Sequence, residues 1–254
     1  MKVYGLSSDT IERHQCGDPL LRHLTDKILK LVDLPGGRAL EVGCGAGRIA
    51  IALARRGFQV DGLDVVPRVV EQAAQLAAAA GVDARFFVAD FTKSDPRFPD
   101  ETYDLVVCSE VLEHVEPWRE VVGNIARVLK PGGLLVLTTP NDPAQFSVLD
   151  EYAGHVRRFR WEELHSGLGR FAVVKAFTVG FPLTRALHWT YTRVALPLLF
   201  KEHSPERMWQ EGSLYQRVGA QATYRLAQID DLFNSLKLGT TWVVKARKLG
   251  GTAG

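Results

Sequence analysis

The sequence predicts an open α/β fold, a largely parallel sheet covered by helices on both faces. Three observations carry this expectation. Short, continuously apolar runs recur through the first 140 residues, stretches of helical periodicity separate them, and a glycine cluster, ALEVGCGAG at Ala39–Gly47, follows the first run. Uninterrupted apolar strands are those of a sheet buried on both sides, and their alternation with helices is the pattern of parallel pairing.

The elements follow in order. Asp18-Pro19 opens a capped amphipathic helix carrying Leu20, Leu21, Leu24, Ile28, Leu31 and Val32, which stops before Leu34-Pro35-Gly36-Gly37. Ala39–Gly43 is the first strand, Arg48–Arg56 a helix ended by Gly57, and Phe58–Asp64 the second strand. Pro67–Ala80 is an alanine-rich helix with proline at its start and Gly81 at its end. Ala84–Ala89 and Tyr103–Cys108 are the next strands. A helix from Pro117 to Leu129 then leads to the turn Lys130-Pro131-Gly132-Gly133 and a fifth strand, Leu134–Thr138. Two late strands are expected at Phe171–Phe177 and Thr240–Lys245. About sixty residues separate them, with helical segments near Leu183–Leu196 and Ser213–Asn234; connections of that length are usually lids or binding elements. The reading is one domain with an N-terminal helical extension over residues 1–35, a helical insertion over about 183–234, and a small glycine-rich tail from Leu249 to Gly254.

Composition removes several function classes. The 254 residues are 46% hydrophobic and 24% charged, with a net charge of +2, so no global field recruits nucleic acid or an anionic membrane. Cys16, Cys44 and Cys108 are far apart, without C-x-x-C or Cys/His spacing, so no metal site and no disulfide is expected. Cys44 and Cys108 sit in apolar runs, and a reducing, cytoplasmic compartment is the simplest setting. No signal-peptide core is seen at the N-terminus, and no run of about 18 apolar residues that would span a bilayer.

The glycines are tested first against the dinucleotide fingerprint G-x-G-x-x-G. Its third glycine would fall at position 48, which is Arg48; Gly43, Gly45 and Gly47 instead give G-x-G-x-G, with Glu41 just before. An acid there repels a pyrophosphate and suits a ligand that carries positive charge. Asp64 ends the second strand 21 residues after Gly43, where an acid accepts the hydroxyls of a ribose. Asp90-Phe91 follow the third strand and Ser109-Glu110 the fourth. Polar groups thus gather at the carboxyl ends of the strands, the edge where open α/β sheets bind ligands.

On these residues the chain resembles the class I S-adenosylmethionine-dependent methyltransferases, and among them small-molecule O-methyltransferases of the ubiquinone-biosynthesis type. The resemblance rests on EVGCGAG (41–47), GLD (62–64), VADF (88–91), FPDETYDLVVCSEVLEHV (98–115), LKPGG (129–133) and GHVRRFRWEEL (154–164), and spans about residues 36–165 with the last strand. It implies a Rossmann-like, seven-stranded sheet of order 3-2-1-4-5-7-6 with strand 7 antiparallel. It also implies S-adenosyl-L-methionine as cofactor. Glu41 and the loop Gly43, Gly45, Gly47 would face its methionine part. Asp64 would take the ribose, Val65 and Phe91 would flank the adenine, Asp90 would accept from the adenine amino group, and Cys108 or Ser109 would lie near the ammonium.

Methyl transfer to a hydroxyl or amine needs the nucleophile's proton removed. His114, beside the fourth strand, is the leading candidate base and His155 the second, on what reads as a less anchored loop; Glu110 is either a participant or a helix-cap acid. Arg157, Arg158 and Arg160 form a basic cluster, either solvated or facing an anionic substrate. The stripe Leu183, Ala186, Leu187, Thr190, Tyr191, Val194, Leu198 suits a cover over the site, a homodimer contact, or an interfacial helix making peripheral membrane contact for a lipid-like acceptor. The expected partner is a small or lipid-linked acceptor and not nucleic acid, since S-E-V-L replaces the Asn/Asp-Pro-Pro-aromatic motif of nucleic-acid adenine methylases. A non-catalytic S-adenosylmethionine-binding regulator and an NAD-dependent oxidoreductase are the competing classes.

Overall fold

A computed structural model describes residues 18–195 and 220–250. Seven strands form one sheet: β1 Gly37–Val42, β2 Phe58–Asp64, β3 Ala84–Val88, β4 Tyr103–Ser109, β5 Leu129–Pro140, β6 Phe171–Val179 and β7 Thr241–Lys248. Their spatial order is β3-β2-β1-β4-β5-β7-β6. The first five run parallel, whereas β7 is antiparallel to both β5 and β6. The helices are α1 Pro19–Leu31, α2 Arg48–Ala54, α3 Pro67–Ala79, α4 Trp118–Val128, α5 Val148–Ala153, α6 Trp161–Gly167, α7 Leu183–Thr190 and α8 Ala220–Asp230.

Strand alternation sends successive side chains into two separate apolar layers. Along β4, Leu105 and Val107 join a layer with Leu24 and Ile28 of α1 and Ile49, Ala50 and Leu53 of α2. Val106 and Cys108 point the other way, into a layer closed by Trp118, Val122 and Ile125 of α4 and Leu164 of α6. Continuous apolar strands were the sequence signature of this two-sided burial. The late strands repeat it, with Val243 on the first face and Trp242 and Val244 on the second.

Element ends depart from expectation where glycine or tertiary pairing intervenes. Helix α2 stops at Ala54 instead of Arg56, because the chain turns toward Gly57 at φ 87°. Strand β5 begins at Leu129 and takes in the expected Lys130–Gly133 turn: Tyr103 pairs with Leu129, then the register jumps so that Leu105 faces Leu134. Strand β6 runs to Val179 and β7 to Lys248, because each gains its length from the other. Cys44 lies in the loop beyond β1, not in a strand, and is buried like Cys108; Cys16 lies outside the described residues. Helices α5 and α6 had no counterpart in the periodicity, since each is only 6 or 7 residues long.

The N-terminal helix and the insertion are tied together. Asp18 caps α1 by accepting from the amides of Leu20 and Leu21. Tyr224 of α8 donates to Asp26, and Asp231, in the 3₁₀ turn directly after α8, accepts from Lys27 and lies 3.1 Å from His23 Nε2. The buried Asp230 accepts from the Leu183 and Thr184 amides at 2.8 Å each, fixing how α7 is rotated. That rotation decides which side chains of α7 face the rest of the chain. Thr184 and Thr192 are buried, whereas Leu183, Leu187, Trp189 and Val194 are exposed. Leu198 and residues 213–219 of the second expected helix lie outside the described residues.

Trp118 anchors the second layer, fully buried and edge-on to Phe159 at 5.1 Å between ring centroids. Trp118→Ala is expected to cost about 3–5 kcal/mol of stability through lost burial and the cavity left behind. Urea unfolding measures this, and a loss below about 1 kcal/mol would contradict the anchoring role.

Candidate functional site

The site is built along the carboxyl ends of β1, β2, β4 and β5. Between β1 and α2 the chain reverses through Gly43, Gly45 and Gly47, at φ 71°, 50° and 79°, conformations that side chains with a Cβ rarely adopt. At Gly43 a Cβ would also stand 2.3 Å from Val111 Cγ2, so this turn presses against the segment after β4.

Two acids hold the turn. Asp64 accepts from the amides of Gly45 and Val66 at 3.0 Å each, one to each carboxylate oxygen. Each oxygen keeps a further lone pair for a ligand hydroxyl. Glu41 is buried and accepts from the Ala50 amide at 2.7 Å. It thereby serves the third residue of α2, a helix whose N-cap, Gly47, has no side chain to offer. Burial pushes Glu41 up to about 8, against the opposing pull of Arg48 and the Ala50 amide. Burial also raises Asp64, opposed by its amide donors.

The other sequence candidates occupy different environments. Val65 is half-buried directly after Asp64. Asp90 is exposed, and its Oδ1 accepts from both the amide and the hydroxyl of Thr92. The Phe91 side chain is buried against Phe98, and its carbonyl accepts from Asn124. Cys108 is fully buried, and burial pushes its thiol far up. The Ser109 hydroxyl is 2.9 Å from Thr138 Oγ1, which donates to Glu110 Oε1. Thr138 has a single proton, so Ser109 is the donor to it and the chain of bonds runs Ser109, Thr138, Glu110. Glu110 itself sits at φ 56°, strained for a residue with a Cβ, and burial raises its carboxyl.

Beyond Glu110 lies a second group. Leu112–His114 form a short 3₁₀ turn, and residues 154–159 are stitched against it and against β5. The Val156 amide donates to the Glu113 carbonyl, and the Phe159 amide to that of Pro140. This brings His155 against His114, with ring centroids 4.7 Å apart. His155 is firmly held: its amide donates to the Asp150 carbonyl, and its Nδ1 lies 2.9 Å from Asp150 Oδ1. The expectation of a loosely anchored loop is corrected.

The basic cluster is divided among three jobs. Arg158 is buried and grips both oxygens of Asp150, at 2.8 and 3.0 Å. Burial would raise Asp150, but the bonds from His155 and Arg158 outweigh it and hold the carboxyl well below its usual range. Arg157 pairs with Glu116, and Arg160 is exposed at the start of α6. Arg158 therefore serves the fold rather than a solvated patch.

Glu113 and Asp150 are the residues that the sequence reading missed. Glu113 is fully buried, with Oε2 accepting from Thr139 and Oε1 lacking any hydrogen-bond partner. Oε1 is 4.0 Å from Nε2 of both His114 and His155. Burial, reinforced by the Glu110 carboxylate, raises Glu113 well above its ordinary value. Burial and the neighbouring His155 push His114 down to about 4. Although the sequence offered no metal-ligand spacing, the fold collects one donor atom each from Glu113, His114 and His155 within 4.8 Å of one another. The spacing E-x-x-E-H at 110–114 was a usable signal for the first half of this cluster; Asp150 was signalled by Ser147-x-x-Asp150, which forms a capping box on α5.

Residues 40–137 match the family model described as "Methyltransferase domain". The ubiquinone biosynthesis O-methyltransferase of Xanthomonas campestris pv. campestris is 38% identical over 137 residues, 52% of this chain and 56% of that protein. The chain thus spans about half the length of the curated relatives it matches. The cyclase SpnF superposes with a TM-score of 0.63 at 25% identity, covering 91% of this chain and 82% of that one. The N-methyltransferase NodS from Bradyrhizobium japonicum, solved with S-adenosyl-L-homocysteine, gives 0.59 at 17% identity over 92% and 90%. This chain is similar to enzymes of more than one activity on one fold, so the chemistry has to be argued from the site.

The raised carboxyl of Glu41 has a measurable consequence. Its folded value lies above the unfolded one, so its contribution is fully present below about pH 4.5 and is lost as pH rises through about 8. Glu41→Gln keeps the acceptor for the Ala50 amide and removes the titration. The gap in stability between variant and wild type should widen from pH 5 to pH 8, to as much as about 5 kcal/mol. Urea midpoints that move in parallel across this range would remove the assignment.

Proposed function

We propose that this protein transfers a methyl group from S-adenosyl-L-methionine to an oxygen of a small acceptor. The observation that carries the reading is the pair of acids at the glycine turn, Glu41 buried and Asp64 half-buried. Glu41 and Asp64 are both raised by burial, which outweighs the pull of Arg48 on Glu41. A pyrophosphate would add repulsion against the Asp64 carboxylate, whereas a ligand bearing a sulfonium and an ammonium brings positive charge to it. This opposes a nicotinamide dinucleotide on electrostatic grounds, beside the Arg48 that replaces the third glycine.

The residues present suit such a donor. Asp64 would accept the ribose hydroxyls with the lone pairs that its two amide bonds leave. Val65 would pack on the adenine, Asp90 would receive its amino group, and Ser109 would stand near the ammonium. Glu41 lies beneath the glycine turn, and its direct contact is with α2. When bound, the sulfonium supplies an electrophilic methyl carbon and a neutral thioether as leaving group. What remains for this chain is to hold the acceptor oxygen in line with that carbon, which can supply roughly 7–11 kcal/mol, and to take the acceptor's proton.

Glu113, His114 and His155 form the group that activates the acceptor, with Asp150 and Arg158 holding His155 in place. His114 alone is a weak proton acceptor once burial has lowered it, so the cluster and not a single imidazole is the functional unit. The exposed Leu183, Leu187, Trp189 and Val194 support an apolar or lipid-linked acceptor approaching beside α7. The O-methyltransferase relatives favour oxygen over nitrogen as the methylated atom.

Calorimetry with S-adenosylhomocysteine and with NAD tests the donor half. S-adenosylhomocysteine should bind, NAD should not, and Asp64→Ala should weaken binding about 10- to 150-fold through lost charge-assisted hydrogen bonds. Tight NAD binding, or an Asp64→Ala protein that binds normally, would defeat the reading. A metabolite that gains one methyl mass in extract incubated with the protein and S-adenosylmethionine, and not with the regulator-like outcome of binding alone, identifies the acceptor.

A further inference from the structure

Helix α7 turns a polar face toward the rest of the chain. Thr184 and His188 lie one turn apart on it, and Thr192 follows one turn further on; Thr184 and Thr192 are buried, whereas Leu183, Leu187, Trp189 and Val194 are exposed. The Asp230 carboxylate, which accepts from the Leu183 and Thr184 amides, holds that rotation. Polar groups withdrawn from water cost free energy unless they are hydrogen-bonded. Thr192 is satisfied, since its hydroxyl donates to the His188 carbonyl at 2.8 Å. The Nε2 atom of His188 is buried and has no hydrogen-bond partner.

The surroundings of His188 are those of the acceptor side. Burial lowers its imidazole and Arg158 lowers it further, against the opposing Asp150, while Arg193 adds to the fall, so the ring is neutral near pH 7. Arg158 is itself buried and uses three N–H bonds, those of Nε and Nη2 to Asp150 and that of Nη1 to the Asn141 carbonyl. A guanidinium carries two N–H bonds on each Nη, so one on each is left over.

We infer that His188 and Arg158 together bind a hydroxyl group of the acceptor, which makes His188 a specificity-determining residue. The guanidinium offers only donors. A neutral imidazole beside that cation is favoured with its proton on Nδ1 and its lone pair on Nε2. A group that satisfies both must accept from the first and donate to the second, and a hydroxyl does so. A carboxylate only accepts and would meet the Nε2 lone pair; an ammonium only donates and would meet the guanidinium. Asp150 already balances the charge of Arg158, so a neutral group suits the place better than an anion. Asp150 also locates it: Oδ1 lies 2.9 Å from His155 Nδ1 and 2.8 Å from Arg158 Nε, which sets the subsite beside the group that activates the acceptor. The assignment of this hydroxyl to the acceptor rests on the methyl-transfer reading. It is a hydroxyl other than the atom methylated, and an analogue lacking it would leave buried polar groups of the site unpaired.

Titration with two probe phenols tests the subsite: para-hydroxybenzyl alcohol, which carries a second hydroxyl, and para-cresol, which lacks it. In the presence of S-adenosylhomocysteine, the full-length protein should bind the alcohol about tenfold or more tightly than the cresol. Only the alcohol should move the Nε2 resonance of His188 in imidazole nitrogen NMR. His188→Leu should bring the two affinities within about threefold of each other. Circular dichroism and urea unfolding report whether the variant is folded, and the wild-type titration stands independently of it. Equal affinities in the wild type, a His188 resonance that neither probe moves, or a preference unchanged in a folded His188→Leu overturns the inference. S-adenosylhomocysteine calorimetry in parallel separates the two claims. Donor binding without the preference removes only the hydroxyl subsite, and the preference without donor binding removes only the methyl-transfer reading.

Discussion

The bond from the Ala50 amide to the buried Glu41 carboxyl is the contact on which the site depends. Gly47 must take a left-handed conformation to turn the chain from β1 into α2, so it cannot also supply a capping side chain. Glu41 reaches up from the strand to fill that gap. The helix start, the glycine turn and the last residues of β1 are thereby one rigid piece. Asp64 ties that piece to β2 by accepting from Gly45 and Val66. The close approach of Gly43 to Val111 ties it to the segment beyond β4. The glycine turn and the segment that leads to Glu113 and His114 are therefore positioned by one set of contacts.

That economy has an electrostatic cost. Glu41, Asp64, Glu110 and Glu113 are all raised by burial, and they lie along the same edge of the sheet. Glu41 and Glu113 are buried and Asp64 and Glu110 half-buried, and acids withdrawn from water in this way are expensive. The left-handed backbone at Glu110 belongs to the same picture: strain is held directly after the end of β4.

Asp150 shows how a fold that other proteins share is adapted. The helix that carries it, α5, is only 6 residues long, and a capping box with Ser147 defines it. From there Asp150 binds both Arg158 and His155. The buried ion pair fixes the loop, and the loop fixes an imidazole. Breaking such a pair leaves an uncompensated buried charge, which is why a short loop can be held as precisely as a strand.

Periodicity and glycine placement decided the parallel part of the sheet, because unbroken apolar strands have no stable alternative to burial on both faces. The glycine turn and the strand-end acids were legible for a related reason: residues at the ends of β1, β2 and β4 are brought to one edge by topology alone. Three features were settled only by tertiary structure. The rotation of α7 depends on Asp230, 46 residues or more from the amides it accepts, so helical spacing alone did not decide which face of the stripe is exposed. The basic run at 157–160 was divided by partners that no local pattern reveals. The cluster of Glu113, His114 and His155 joins residues 41 positions apart through the backbone bond from Val156 to Glu113, and its donors face one another because Gly154 and Asp150 set both rings. Sequence carries hydrophobic period and turn chemistry over short range; the direction of a ring nitrogen is set by whatever the folded chain places opposite it.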